Sequence, residues 1–533
     1  MTPSVASALK ERTESAQETQ EETTVMTARR PGRRAVMVSA VLTQLMIVLD
    51  LTIIAIALPR MQDDLGMTVS QSPWTVTGYS LAFGGLVLFG GRLCAVVGIR
   101  RSYQVGLIGF GVASLAAGMA TSFPILLVAR VAQGCFGALL APTSQSLLNV
   151  TFTERTERER VFAIFGATGG LGAAVGLLVG GALTDWISWR WALYINILLA
   201  TAALLIGQRS LPPADQRDRS SRITDDLTGL VLGCGACFSA VYGLDRAQQT
   251  SWTSTSTVSW LALGGIAAVL FVVRERFANR PVLPLSMMAL PVRAASYATQ
   301  FIAGAAQMGA IIYLTYYMQN HFGYSPFKSG VVFLPMVLSL IATAIPAGRV
   351  IVPRLGARGT LPLGLAVLTG SFLIFSRMTT QSSYSQVALP GLIVFGIGLG
   401  LTMPVTFNSG TRGVDAKRTG LASAILSAAQ QIGGSFGVAL MTSYATQHAE
   451  DYVAEHSEEV RAAAMEAMMR AQALPQSPAG KQIIEALKAQ LVDRAQIEAY
   501  AGGFTMMAWI LAGAGAALVA CGIALSVRRR RTR

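Results

Sequence analysis

The sequence predicts an all-α membrane protein that crosses the bilayer fourteen times, as six helices, an inserted pair and six more. Three observations carry this. Hydrophobic residues make up 52% of 533 residues and charged residues 13%, with a mean hydropathy of +0.50. A soluble chain carries about 25% charge, so this surface must face something other than water. Apolar runs long enough to span lipid, about 20 residues at 1.5 Å each, recur along the chain. The charges between them alternate in density, as loops on two sides of a membrane do.

Residues 1–35 are polar, with Glu11, Glu14, Glu18, Glu21 and Glu22 followed by Arg29, Arg30, Arg33 and Arg34. The segment has no apolar core and reads as a disordered cytoplasmic tail. The run after it is long and lacks a convincing cleavage site, so it reads as a retained first span. Spans follow near 36–58, 74–97, 102–121, 123–148, 161–183 and 190–207, within an N-terminal bundle of residues 36–210. The inserted pair, 227–243 and 257–273, lies in 211–285 with its linkers. The C-terminal bundle, 286–527, holds spans near 294–319, 329–352, 360–376, 386–408, 419–444 and 503–527. Residues 528–533 form a basic tail.

Loop charges test the count. With a cytoplasmic N-terminus, the inner loops hold Arg100 and Arg101; Arg155, Arg158 and Arg160; Arg209, Arg217, Arg219 and Arg222; Arg274, Arg276 and Arg280; Arg354 and Arg358; and Arg412, Lys417 and Arg418. Outer loops hold little beyond Arg60, Arg190, Arg246 and Lys328. Losing one span would invert every later loop. The pattern predicts a multi-pass protein of the cytoplasmic membrane with both termini on the cytoplasmic side. The segment 445–502 is long and rich in both signs of charge, with helical stretches Ser457–Ala471 and Lys481–Ile497. Long loops escape the charge rule, and we place this one outside, as a solvated cap or as a lid or partner-binding element over the outer mouth.

A repeat is visible at an offset of eight spans. Gly91-Arg-Leu-Cys-Ala-Val-Val-Gly-Ile-Arg-Arg follows the second span, and Gly348-Arg-Val-Ile-Val-Pro-Arg-Leu-Gly-Ala-Arg the tenth. The fifth and thirteenth spans are both glycine-rich. Two six-helix halves separated by an inserted pair suit a transporter built from parallel repeats.

Two charges lie deep in predicted spans: Asp50 in the first and Arg130 in the fourth. A charge at the helix centre costs roughly 2.5–3.5 kcal/mol on the insertion scale, so such residues need partners. Both lie about 10–12 Å inside the outer surface, counted at 1.5 Å per residue. At one depth they can neutralise each other if their helices touch. The pair reads either as a proton-exchanging acid with a base that tunes it, or as a permanent structural ion pair. Arg92 and Arg349 lie near the inner ends, within snorkelling reach.

Other chemistries are poorly supported. The basic excess of +14 falls in short loop clusters, which argues against nucleic acid. Cys234 and Cys237 form a lone C-x-x-C inside an apolar run, and the chain has three His; neither a redox nor a metal site is expected. No Gly-x-x-x-x-Gly-Lys-Ser/Thr phosphate loop occurs, so ATP is not an expected partner. No cofactor and no catalytic cluster are expected, hence no enzyme.

Several motifs sit where the deep charges are. Leu49-Asp-Leu-Thr-Ile-Ile-Ala-Ile-Ala-Leu-Pro59 surrounds Asp50, and Arg130-Val-Ala-Gln-Gly-Cys-Phe-Gly-Ala138 follows the pattern R-x-x-Q-G. The fifth span carries Gly172, Gly176, Gly180 and Gly181, and Trp189-Arg-Trp191, Asn196 and Gly323-Tyr-Ser-Pro326 follow. In these features the chain resembles the major facilitator superfamily, specifically its fourteen-helix drug:proton antiporters, over nearly all residues after 35. The resemblance implies the major facilitator fold and a proton-coupling role for Arg130, here joined with Asp50. It implies an antiporter glycine motif at Gly172, Gly176, Gly180 and Gly181, and a cytoplasmic gate at Gly91, Arg92, Gly98, Arg100 and Arg101. Leu177 stands where the family usually has Pro, which implies a less bent helix. Ala95 stands where an Asp is expected, and Val96 and Ile99 replace basic residues, which departs from the family's gating network.

The implied activity is export of a hydrophobic drug or antibiotic against protons, conferring resistance. The expected partners are a small hydrophobic substrate, protons and the lipid bilayer, with the protein acting as a monomer. Gln44, Tyr79, Tyr316, Tyr317, Gln319 and Asn408 are candidate cavity residues, although aromatics also mark membrane boundaries. Proton-driven uptake uses the same fold and is disfavoured by the glycine motif. A transport-inactive receptor or scaffold is favoured only by the altered loop after the second span.

Overall fold

The computed structural model describes residues 32–531 except 68–70, 72–73, 209, 212–226, 279–287, 289, 415–418 and 471–477. The tail up to residue 31, most of the linker before the inserted pair and the last two residues therefore lie outside the described residues.

Every predicted span is helical. In chain order the helices are α1 Arg33–Leu65, α2 Trp74–Val97, α3 Ile99–Gly118, α4 Phe123–Thr151, α5 Arg155–Trp186, α6 Trp189–Gly207, α7 Leu227–Gln249, α8 Thr255–Phe277, α9 Pro291–Tyr316, α10 Pro326–Val332, α11 Leu334–Pro346, α12 Val352–Phe375, α13 Leu389–Thr411, α14 Thr419–Arg470 and α15 Pro478–Arg531. Helices are the expected answer where no water is available, because they satisfy every backbone polar group within the segment. Eleven described stretches are long and apolar enough to cross a membrane, and one of these, Phe327–Phe375, covers two predicted spans. α3 and α5 are helical but fall outside that set. Large apolar side chains stand exposed along α3, α4, α6 and α8, among them Val112, Val128, Leu198 and Val269. Apolar faces of this extent fit lipid rather than water.

Local chemistry places the ends. Ser325 accepts from the Lys328 amide and caps α10, whose first residue is Pro326. The turn between α2 and α3 needs Gly98, at φ 98°, and the corresponding turn inside α12 needs Gly356, at φ 65°. Positive φ is open to glycine without a Cβ penalty. The two glycines stand in the repeated sequences noted above.

The repeat recurs in the packing. α5 lies on α1 along its glycine face: a methyl on Gly172 would meet Val48 Cβ at 3.0 Å, and one on Gly180 would meet Ile53 Cγ1 at 2.9 Å. Eight spans later, Gly433 and Gly437 of α14 bring that helix against the Phe301 and Ala305 carbonyls of α9. Small residues allow this backbone approach.

The segment 445–502 is largely helical, and most of its described residues up to 490 are exposed, while a stretch near its end packs inward. α14 continues unbroken to Arg470, and α15 already begins at Pro478. Leu491, Ala495, Ile497 and Ala499 are buried, the last two in one cluster with Phe504. His321 Nδ1 lies 3.1 Å from Asp493 Oδ2, and Tyr313 meets Tyr500 edge-on at 5.0 Å. The apolar period of this segment points inward, which charge counting does not reveal.

Candidate functional site: a buried charge cluster and a sealed end

α1 and α4 bring the two deep charges into contact. Arg130 Nη1 donates to Asp50 Oδ2 at 2.6 Å, and both side chains are 0% exposed. Gln133 Nε2 at 3.2 Å and Asn196 Nδ2 at 2.6 Å donate to the other oxygen, Oδ1. Arg130 Nη1 also donates to Gln133 Oε1 at 2.9 Å, and its Nε donates to the Thr75 carbonyl at 3.1 Å. Gln133 Nε2 reaches Ser114 Oγ at 2.7 Å. The Tyr79 ring lies 4.6 Å from the Arg130 guanidinium carbon, a cation–π contact. Five helices, α1, α2, α3, α4 and α6, thus contribute to one buried network.

The local sequence explains this convergence. Gln133 follows Arg130 by three residues, so both lie on one face of α4. Gly134 and Gly137 on the same helix let α2 approach; a methyl on Gly137 would meet the Tyr79 hydroxyl at 3.1 Å. A buried ion pair repays desolvation only when further hydrogen bonds satisfy it. Three donors on the Asp50 carboxylate meet that condition. The Tyr79 hydroxyl and Arg130 Nη2 are buried without a hydrogen-bond partner.

Gly176 presses on the same helix. A methyl there would collide with the Thr52 hydroxyl, and Thr52 is two residues from Asp50. Gly181 is buried on α5. The glycine motif therefore abuts the stretch of α1 that carries the acid.

The second element of the site is a seal at the end where Arg33 lies. Ala40, Leu148, Phe152, Val161, Phe162 and Phe165 of the first half form one buried cluster with Tyr297, Phe407 and Leu426 of the second. Phe165 meets Phe407 edge-on, centroids 6.1 Å apart. Three polar contacts cross beside it: Gln145 Nε2 to Ser427 Oγ at 3.2 Å, Thr411 Oγ1 to Asn149 Oδ1 at 3.4 Å, and Arg158 Nε to Asn408 Oδ1 at 3.2 Å. Arg33 and Glu157 pair at 2.9 Å within the first half.

The residues expected to form a gate lie nearby. Gly98 makes the turn into α3, Arg100 donates to the Gln208 carbonyl at 3.3 Å, Gly91 is buried, Arg92 is half-buried and Arg101 is exposed. The candidate cavity residues scatter. Gln44 and Gln319 are half-buried and Tyr316 is exposed. Tyr317 is buried, with its hydroxyl donating to the Thr379 carbonyl at 3.1 Å. Tyr79 sits against Arg130, and Asn408 belongs to the seal. Ser114, Thr75 and the seal residues Gln145, Asn149, Thr411 and Ser427 have no distinctive sequence signal. Gln133 and Asn196 stood inside the quoted motifs, but only the packing reveals what they bind.

At the opposite end, Asp64 accepts from the Trp189 indole at 2.9 Å and from the Arg190 guanidinium. These hydrogen bonds, Arg190 first, hold its carboxyl below the usual carboxylate range. Among the described residues, no group of His, Cys, Asp and Glu could hold a metal ion.

The sequence profile described as Major Facilitator Superfamily matches residues 40–438. The puromycin resistance protein pur8 of Streptomyces alboniger is 39% identical over 416 residues, 78% of this chain and 82% of that protein. The cephamycin export protein CmcT of Amycolatopsis lactamdurans is 33% identical over 76% of this chain and 83% of its own. The fold is similar to that of the human organic anion transporter MFSD10 (TETRAN), with a TM-score of 0.54 and 13% identity over 90% of this chain and 100% of that one. The matched profile covers both halves, the sealed end and the buried charges alike, and the chain belongs to the major facilitator superfamily, as a multi-pass membrane transporter and not an enzyme.

Proposed function

We propose that the protein exports a hydrophobic antibiotic across the cytoplasmic membrane in exchange for protons, as a monomer with fourteen spans arranged six plus two plus six and both termini inside. The observation that carries the coupling is the Asp50–Arg130 pair, fully buried and on the helix that the antiporter glycines touch. Arg130 donates to the Asp50 carboxylate at 2.6 Å in a site closed to solvent. Protonation of Asp50 leaves Arg130 with the Thr75 carbonyl and Gln133 Oε1, which relaxes the hold of α4 on α1. Because neither side chain meets solvent, proton exchange requires the helices around the pair to move, which ties it to a conformational step. Inward proton movement supplies about 2.3 kcal/mol per charge per 100 mV from the potential alone.

With the Arg33 end taken as cytoplasmic, the contacts between the halves there are those of a state closed to the cytoplasm. Export is supported by relatives named for puromycin resistance, cephamycin export, and resistance to and export of tetracenomycin C. Asp50 is already paired, which favours a neutral or weakly ionised substrate over a strong cation. The test is puromycin accumulation in sensitive cells. Wild-type protein lowers it, and both a protonophore and Asp50→Asn abolish the effect. Accumulation unchanged for puromycin, a cephamycin, tetracenomycin C and lincomycin alike would count against export.

A further inference from the structure

Helix α2 is held from two sides at its first turns. On one face, the Thr75 carbonyl and the Tyr79 ring contact Arg130. On the other, Thr77 Oγ1 donates to Asp245 Oδ1 of α7, the first inserted helix, at 3.0 Å. The same face of α2 carries the rest of that seam. A methyl on Gly84 would meet Val241 Cγ2 at 3.1 Å, and one on Gly85 would meet Phe238 Cβ at 3.2 Å. Residues 77, 84 and 85 share a helical face, while 75 and 79 lie on another. Beside this close apolar packing, the hydrogen bond adds a directional contact that favours one axial register at the first turns of α2.

We infer that Asp245 is a positioning residue: through Thr77 it holds α2 in the register at which the Thr75 carbonyl and Tyr79 meet Arg130, so that the inserted helix pair tunes the buried charge pair. This rests on the proposed coupling role of Asp50 and Arg130. The charged and titratable groups facing Asp50 are Arg130 on α4 and Tyr79 on α2. α5 presents the glycine seam and α6 presents Asn196.

The readout is carbodiimide labelling of Asp50 against pH in the purified full-length protein, followed by peptide mass spectrometry. Carbodiimide takes the protonated carboxyl, so the midpoint reports how strongly Arg130 holds the ionised form. Thr77→Val and Asp245→Ala should each raise the midpoint by about one unit, the scale of a loosened charge partner. Thr77→Ser and Asp245→Asn, which keep a donor and an acceptor, should stay near wild type. The double variant Thr77→Val with Asp245→Ala should shift no further than either alone. Unchanged midpoints in folded Thr77→Val and Asp245→Ala overturn the inference. So does an Asp245→Asn shift equal to that of Asp245→Ala, which would mean charge acting through space. Arg130→Gln separates the two levels: if it leaves the midpoint in place, the coupling reading itself falls. If it moves the midpoint while Thr77→Val and Asp245→Ala do not, only the role of the inserted pair is lost.

Discussion

Asn196 on α6 donates to Asp50 Oδ1 at 2.6 Å, the carboxylate oxygen that Arg130 does not take. The acid is therefore held from two sides, by a cation on α4 and a neutral amide on α6. Removing Arg130 and removing Asn196 should have very different costs. Arg130→Ala leaves a buried carboxylate without its cation and should cost about 3–5 kcal/mol. Asn196→Ala removes one hydrogen bond to a charged group and should cost about 1.5–3 kcal/mol. Thermal unfolding in detergent, with Asp50→Asn combined with each, measures both. Equal costs would argue against an ion pair as the dominant contact.

The glycine face of α5 predicts a rescue. Gly176→Ala should destabilise by about 1–3 kcal/mol, the usual range for overpacking, because its methyl meets the Thr52 hydroxyl. Thr52→Ala in the same chain should recover part of that loss, the Cβ of residue 52 at 3.1 Å and the Leu49 carbonyl at 3.3 Å being the remaining neighbours. A double variant no more stable than Gly176→Ala would place the strain elsewhere.

The seal predicts a trap. Cys94, Cys135, Cys234, Cys237 and Cys521 are free, so they are first replaced. Cysteines at positions 149 and 411, where Asn149 and Thr411 now meet at 3.4 Å, should then crosslink under mild oxidation and stop transport. Reduction should restore it. Transport that survives complete crosslinking would mean that this end need not open.

The Asp64 clasp predicts a pH dependence. Its carboxyl is held below the ordinary range by Arg190 and Trp189. A depressed folded-state value adds stability above the unfolded value, near 3.9, and that stability is lost as pH falls through the lower folded value. Wild type should therefore exceed Asp64→Asn by a constant margin from neutral pH down to about 4 and converge with it below. The group is half-exposed, so the margin should be small. A margin that grows on acidification would contradict the assignment.

The deep charges were legible without a structure because lipid makes them expensive: two residues at one depth in otherwise uncharged spans have little alternative to each other. The helices were legible for a related reason, since hydropathy adds up locally and any backbone in lipid must close its own hydrogen bonds. Gly98 and Gly356 were visible only as members of a repeat, and the turns they make at positive φ came from the structure. Charge counting described segment 445–502 as a whole and did not show that Ile497 and Ala499 pack into the core through one helical face.

What the sequence alone determined was which segments enter the membrane and which charges need partners. Only the tertiary structure decided that Gln133 and Asn196 share Asp50 with Arg130, that Asn408 seals one end, and that α7 grips α2 through Asp245. Those contacts depend on how far each helix is rotated and slid against its neighbour, and close packing of many side chains sets both at once.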